Sequence, residues 1–247
     1  MLVSYPHKFI YVKTRKTAGS AVELVFEPFV RSPGGPPPGS AAPEFETAEF
    51  VSSDGIVGAR GKAMKAKTVY YDHMQAQNIR RKVGAGVWSR SFKFCTIRNP
   101  WDKTVSAFYF RRPATREKSA EKQIDLFRRW LWNDDTRKNR DRDIYYIDGR
   151  PAMDDYIRYH RLEDDVARIA DKLGLPVARL PQVHHETRNR ELDYRAFYDD
   201  EAIERVADMY SSEIADFGWQ FDGDGELTFP KPPSRGVLGR VLERLGR

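Results

Sequence analysis

The chain has 247 residues, enough for one sizeable domain and too few for two ordinary domains, so we expect a single core. Hydrophobic residues make up 40% of the chain and charged residues 32%, which excludes wholesale disorder. The formal net charge of +6 predicts attraction to anions but leaves nucleic acid, acidic lipid, nucleotide and sulfated sugar all open as partners.

The N-terminal segment from Met1 to Thr14 holds a short apolar run that His7 and Lys8 interrupt. This run is too short for a signal-peptide core or a membrane span. We therefore expect a first strand there, a cytoplasmic protein and no integral membrane association. Cys95 is the only cysteine, which excludes an intramolecular disulfide and a thiolate zinc cluster.

The hydrophobic pattern predicts a strand, a turn and a helix at the start of the chain. Phe9–Val12 is apolar and β-branched, Lys13–Gly19 is polar, and the apolar spacing of Ala21–Phe26 is typical of a helix. The segment 28–45 is rich in proline and glycine, so we expect a loop or a disordered insertion.

A further unit of the same kind lies near the middle of the chain. The pattern predicts a short strand over Thr68–Tyr71 and a helix over Met74–Val83, with His73 at their junction. Phe92–Ile97 predicts a strand that Pro100 ends, and this proline can open a helix. Further elements are predicted from spacing and charge: helices over Ile124–Leu131, Tyr159–Leu173 and Asp200–Phe217, a charged loop over 137–142, and a basic tail over 231–247.

The turn between the first predicted strand and helix has the composition of a phosphate cradle. A helix N-terminus offers unpaired N–H groups and partial positive charge, and small residues let a phosphate approach the backbone. The turn is not a Walker A loop, because its lysine precedes its only glycine. A surface turn with a solvated lysine is the ordinary alternative. The residues concerned are Lys16, Thr17, Ala18, Gly19 and Ser20.

The turn after Phe92–Ile97 supplies an arginine at its start and a serine two helical turns later. Arg98 can hold a phosphate by a forked, charge-assisted pair, and Ser106 can donate one further hydrogen bond. In the alternative interpretation, Arg98 forms a surface ion pair and Ser106 bonds back to its own helix.

Together the two turns resemble the nucleotide signatures of the sulfotransferases that use 3′-phosphoadenosine 5′-phosphosulfate (PAPS). The turn at Lys16 resembles their 5′-phosphosulfate loop, which usually ends Lys-Thr-Ala/Gly-Gly-Thr/Ser. The turn at Arg98 resembles their 3′-phosphate motif, Arg-x-Pro with a serine eight residues after the arginine. The run 94–103 is similar to Phe-Ala-Phe-Val-Arg-Asn-Pro-Trp-Asp-Arg of the carbohydrate branch, which includes heparan and chondroitin sulfotransferases, and 159–174 and 194–221 are similar to that branch's closing helices.

The resemblance implies an α/β fold with a single domain, residues 1–230, in which helices flank a central parallel sheet of the P-loop-like, nucleotide-binding type. It implies PAPS as sulfuryl donor, no metal, and a carbohydrate or other hydroxyl acceptor. Lys16 would stabilise the leaving phosphate. The resemblance assigns the 5′-phosphate to the first turn (Thr17, Ala18, Gly19, Ser20), the 3′-phosphate to Arg98 and Ser106, and a place over the nucleotide to Arg188 and Arg190. Solvated surface charges are the alternative interpretation of Arg188 and Arg190. His160 and Lys103 depart from the family pattern, where glutamate and arginine are usual.

His73 resembles in position the histidine that serves as base in the uronyl 2-O-sulfotransferases. An acceptor hydroxyl must lose its proton to attack sulfur, and an imidazole is suited to taking it. A hydrogen-bonded core or capping histidine is the alternative. The adjacent pair His184 and His185 has no metal-ligand spacing, so we expect no metal there.

Two other classes of function compete with this interpretation. A P-loop-like nucleotide kinase or hydrolase would share the architecture but requires a Walker A loop. A basic RNA- or DNA-binding protein would show a recognisable binding module, and none of the usual signatures is present, so we expect no nucleic-acid partner. The tail 235–247 has an apolar helical face, which favours docking on the core over contact with an anionic membrane.

Overall fold

The computed structural model describes residues 1–32, 34, 46–61, 67–132, 136, 140–176, 192–223 and 228. Within them, six strands form one sheet in the order β3-β4-β1-β2-β5-β8, and two more form a hairpin, β6-β7. The strands are β1 Leu2–Ser4, β2 Phe9–Val12, β3 Phe50–Val51, β4 Gly55–Val57, β5 Phe92–Ile97, β6 Tyr146–Ile147, β7 Arg150–Pro151 and β8 Asp155–Arg158.

The central sheet is mixed, so the prediction of a parallel sheet is wrong for its β1 side. β2, β5 and β8 run parallel, whereas β1 is antiparallel to both β2 and β4. The predicted first strand is in fact two strands, joined by a four-residue turn in which Lys8 has φ 51°. A connection this short can join only antiparallel neighbours, which explains the mixed topology.

Helices cover both faces of the sheet and are mostly short. They are α1 Gly19–Phe26, α2 Pro28–Arg31, α3 Ala76–Val83, α4 Ala85–Arg90, α5 Pro100–Arg111, α6 Ala120–Leu131, α7 Arg142–Tyr145, α8 Leu162–Lys172, α9 Asp200–Met209 and α10 Ser211–Phe217. None of the helices in the described residues has the length and hydropathy needed to cross a membrane.

The core has two parts because alternate residues of the central strands point to opposite faces. Phe9 and Tyr11 of β2 pack with Phe94 of β5 in one cluster, which α1, α2 and α8 complete. Ile10 and Val12 belong to the other cluster, which includes residues of α3, α5, α6, α9 and α10. The sheet is therefore buried on both faces, and the molecule is an α/β domain.

Two elements predicted before α3 differ from the structure. The predicted loop over 28–45 is wrong at its start, because α2 begins at Pro28, where a helix needs no N–H, and buries Phe29 and Val30. The predicted strand over Thr68–Tyr71 is also wrong. The Glu49 carboxylate accepts the N–H groups of residues 69 and 70, and the segment's pairing is one isolated bridge between Tyr71 and Ala59.

The last predicted helix is two helices. α9 and α10 are separated at Tyr210, whose φ of −115° and ψ of 21° depart from helical values. α10 ends as predicted at Gly218, which has a φ of 73° that glycine adopts without strain. The predicted charged loop ends earlier than expected, because Arg142 opens α7, and residues 137–139 lie outside the described part of the chain.

Candidate functional site

The candidate site lies where the parallel strands β2, β5 and β8 end. Neighbouring parallel strands have their carboxyl ends at one edge of the sheet, and Val12 of β2 pairs with Cys95 of β5. The turns after β2 and β5 are therefore adjacent. In open α/β sheets, ligands bind at this edge.

The first turn presents backbone N–H groups to this edge. Lys16 and Ala18 both have left-handed backbone angles, with φ of 58° and 59°. Left-handed residues in a turn direct successive N–H groups into a concave anion-binding nest. Helical hydrogen bonding starts where Ala21 N–H donates to the Ala18 carbonyl at 2.9 Å, so the N–H groups of Gly19 and Ser20 precede the first bond of α1.

Gly19 is required by packing. A Cβ added there would lie 2.8 Å from Cγ of Lys13 and 3.3 Å from Oη of Tyr11. Real Cβ atoms do not approach this closely, so any side chain at position 19 would displace the turn from the Lys13 stem.

Thr17 ties the turn to the sheet. Its Oγ1 lies 2.8 Å from Oγ1 of Thr14 and 3.2 Å from the Thr14 carbonyl, and Thr14 in turn bonds to the carbonyl of Thr96 in β5. Thr17 is only 1% exposed. Its hydroxyl therefore holds the turn in shape, and its backbone N–H is the group left to face a ligand.

Lys16 has the surroundings of an anion-binding lysine. Its Nζ lies 4.1 Å from the centroid of the Phe110 ring, and no carboxylate in the described residues pairs with it. Burial, together with the charges of Arg98 and Arg116, lowers the pKa of Lys16 to about 8. An incoming anion would relieve this repulsion, which makes anion binding at Lys16 favourable.

Arg98 joins the two predicted turns directly. Its Nη1 donates to the carbonyl of Lys16 at 2.8 Å, its Nε donates to Asp102 at 2.7 Å, and its guanidinium lies 3.8 Å from the centroid of the Tyr159 ring. The ion pair with Asp102 is buried, not a surface pair, since Arg98 is only 7% exposed. Nη2 has no hydrogen bond within the described residues and remains for a ligand.

The turn after β5 leads into α5 as predicted. Pro100 occupies the first helical position, and the Asn99 side chain accepts the N–H of Trp101 at 3.1 Å, which caps the helix. Ser106 lies two turns along α5 and is buried, with 7% of its surface exposed.

His73 contacts the residue at which the first turn begins. Its Nδ1 lies 3.2 Å from the carbonyl of Lys13. A carbonyl can only accept, so Nδ1 carries the proton and Nε2 keeps a lone pair. Burial lowers the pKa of His73 to about 4, opposed by Asp141 and assisted by Lys13 and Arg15. The imidazole is therefore neutral at physiological pH.

The Lys13 side chain is fixed by a network of buried charges. Its Nζ donates to Glu23 at 2.8 Å and to Asp72 at 2.9 Å, and Nε of Arg60 donates to the same Glu23 oxygen at 2.9 Å. Opposite charges in a buried network constrain one another's position. The network therefore holds in place the carbonyl that orients His73.

Asp141 connects the first turn to α5. It accepts from the backbone N–H of Arg15 at 3.0 Å and pairs with the buried Lys103. Lys103 thus has a structural partner, the Asp141 carboxylate. A cavity of about 10 Å³ lies beside this pair, and Glu213 of α10 contributes to its lining.

Some predicted residues cannot be placed. His184, His185, Arg188, Arg190 and the tail 235–247 lie outside the described residues. The sequence interpretation also missed groups of the site. Asp102 could have been found as the i+4 partner of Arg98, and Glu213 as an acid on the apolar face that holds Tyr210 and Phe217. Asp141 gives no such signal in the sequence, because only the fold brings it to Arg15.

Comparisons with known proteins leave the class of this protein open. No family model matches the chain, and no solved structure matches it. A protein of Archaeoglobus fulgidus, described as uncharacterized, is 27% identical over 104 residues, which are 42% of this chain and 84% of that protein.

Proposed function

We propose that this chain is a sulfotransferase that moves the sulfuryl group of PAPS onto an acceptor hydroxyl, with a carbohydrate or glycolipid as the acceptor class. The observation that carries the proposal is the bond between Arg98 and the Lys16 carbonyl, which brings two cationic turns to one sheet edge. Two such turns suit a nucleotide with two separated phosphates. The family resemblance of both turns supports the same assignment.

The residues present fit the charge of this donor. The N–H groups of residues 17–20 and the Lys16 ammonium would hold the 5′-phosphate, and Nη2 of Arg98, with Ser106, would hold the 3′-phosphate. Lys16 is mostly protonated at pH 7 because its pKa is about 8. It can therefore stabilise negative charge on the phosphate oxygen that departs.

The transfer needs a base for the acceptor. The acceptor oxygen forms a bond to sulfur while the bond from sulfur to the 5′-phosphate oxygen breaks, and that oxygen keeps the electron pair. Nε2 of His73 takes the acceptor's proton. A pKa of about 4 makes His73 a weak base in the free protein, and the negative charge of a bound nucleotide would raise that pKa toward neutrality.

The proposal is tested by a transfer screen with sulfur-labelled PAPS against glycans, glycolipids and phenols. We expect label transfer to at least one glycan or glycolipid. Binding of ATP and of single-stranded RNA is measured in parallel. Failure of transfer together with ATP turnover, or with RNA binding stronger than PAPS binding, would instead favour the competing classes.

The role of His73 has a sharper test. We expect His73→Ala to bind 3′-phosphoadenosine 5′-phosphate (PAP) normally and to lose roughly 10²- to 10⁴-fold in turnover, which is the usual contribution of a general base. His7→Ala is the matched control, because His7 lies in the β1–β2 turn at the opposite edge of the sheet. Wild-type turnover in the His73 variant would assign the base to another group.

A further inference from the structure

One buried acid beside the site has an oxygen without a partner. Glu213 of α10 is only 5% exposed, and its Oε1 has no hydrogen-bond partner within the described residues. A buried carboxylate oxygen without a donor is costly when charged and much less so when protonated. Glu213 is therefore a candidate for a group that exchanges a proton with solvent.

Glu213 faces the cavity beneath both turns. The charged and titratable groups around Glu213 come from several elements. They are Lys103 of α5, Asp141 and Arg140 of the segment before α7, Tyr145 of α7, and Tyr210 at the junction of α9 and α10. Burial raises the pKa of Glu213 to about 7, Lys103 and Arg140 oppose this shift, and Asp141 adds to it. The same cavity is lined by Thr17 of the first turn and Arg98 of the turn after β5.

The cavity connects this acid to the anion site. Lys103 is shared, because it pairs with Asp141 and also faces Glu213. Asp141 holds the N–H of Arg15, the residue before Lys16. Negative charge arriving at Arg98 and Lys16 would add repulsion on an ionised Glu213 through a medium of low dielectric.

We propose that Glu213 takes up a proton when an anion binds at the two turns, so that the site loses affinity for phosphorylated nucleotides as the pH rises through neutrality. This regulation rests on the proposed function only in requiring that the turns bind an anion. The number of protons taken up on binding determines how the affinity changes with pH. A free carboxyl that is half protonated near pH 7 takes up about half a proton when binding completes its protonation.

Lys16 responds to the anion at a different pH. Its ammonium, with a pKa of about 8, loses its proton mainly between pH 7 and pH 9, and this contribution is common to wild type and Glu213→Gln. The Glu213 effect lies between pH 6 and pH 8. Over that interval we expect the affinity of wild type, relative to that of Glu213→Gln, to fall roughly five- to tenfold, as one linked carboxyl predicts.

The test is calorimetric titration of the full chain with PAP at pH 7, in two buffers of different ionisation enthalpy. Wild-type protein should take up about half a proton more than Glu213→Gln, a comparison in which the ligand's own phosphate titration cancels. Glu204→Gln, an exposed substitution on α9, should behave as wild type. The pH dependence of PAP affinity from pH 6 to pH 8, compared between wild type and Glu213→Gln, gives an additional readout.

The possible failures are distinguishable. PAP binding with equal proton uptake in wild type and Glu213→Gln, or PAP affinity that depends on pH equally in the two proteins from pH 6 to pH 8, overturns the role of Glu213 and leaves the sulfotransferase proposal standing. Absence of PAP binding at every pH overturns the proposed function and this regulation with it.

Discussion

Replacing Glu213 by glutamine should change how stability depends on pH. The carboxyl has an ordinary pKa of 4.5 and a pKa of about 7 in the folded chain, where burial disfavours its charge. The folded chain therefore holds this proton to a higher pH than the unfolded chain does. The stabilisation that follows is fully present below pH 4.5 and is lost as the pH rises through 7.

The size of the effect follows from the shift. The pKa of Glu213 shifts from 4.5 to about 7 on folding. At 1.36 kcal/mol per pKa unit, this shift corresponds to about 3 kcal/mol of stability that is lost as the pH rises. Glutamine cannot lose a proton. The free energy of unfolding of Glu213→Gln, minus that of wild type, should therefore rise by about 3 kcal/mol as the pH increases from 4 to 8. Other titrating groups are common to both chains and cancel in the difference.

Urea denaturation of both proteins at four pH values across this range measures the difference directly. Glu204→Gln is the control, and its difference from wild type should stay constant, because that side chain is exposed. A difference between wild type and Glu213→Gln that is also constant would refute the reasoning, since it would mean that Glu213 titrates normally in the folded chain.

Three further predictions concern the turns. Asp141→Asn should cost about 3 kcal/mol or more in urea denaturation, because it leaves Lys103 buried without its carboxylate, and adding Lys103→Met should recover most of the loss. Gly19→Ala should lower stability by about 1–3 kcal/mol, whereas Gly86→Ala, whose Cβ meets only a flexible arginine end, should be tolerated. Lys16 should be acetylated at pH 8 faster than exposed lysines and be protected by PAP, because its pKa is about 8; slow, unprotected labelling would contradict its placement.

The local pattern of the chain predicted much of the sheet edge that matters. β2 and β5 have the predicted bounds, Phe9–Val12 and Phe92–Ile97, because both are short apolar runs that end at strong turn signals. The helix start at Pro100 was equally readable. The adjacency of the two turns was only implied by family resemblance, and the structure adds the contact between Arg98 and Lys16 that joins them.

What the sequence could not show depends on distant contacts. β1 and β4 are three-residue strands whose pairing is decided by the fold. α2 forms at the start of a proline-rich segment because Phe29 and Val30 are buried in the core. The ion pair of Asp141 with Lys103 spans 38 positions, and no periodicity reports such a contact.

The central claim is that the two turns hold the two phosphates of one nucleotide, and calorimetry with PAP and with AMP tests it most directly. AMP lacks the 3′-phosphate that Arg98 would hold, so PAP should bind roughly tenfold or more tightly, a gain of about 1.5–3 kcal/mol. Arg98→Ala should lower the affinity for PAP to that for AMP. Arg90→Ala, an exposed change at the end of α4, should leave the difference in affinity between the two nucleotides unchanged. Equal affinity for the two nucleotides in wild-type protein, or unchanged PAP affinity in Arg98→Ala, would contradict the account.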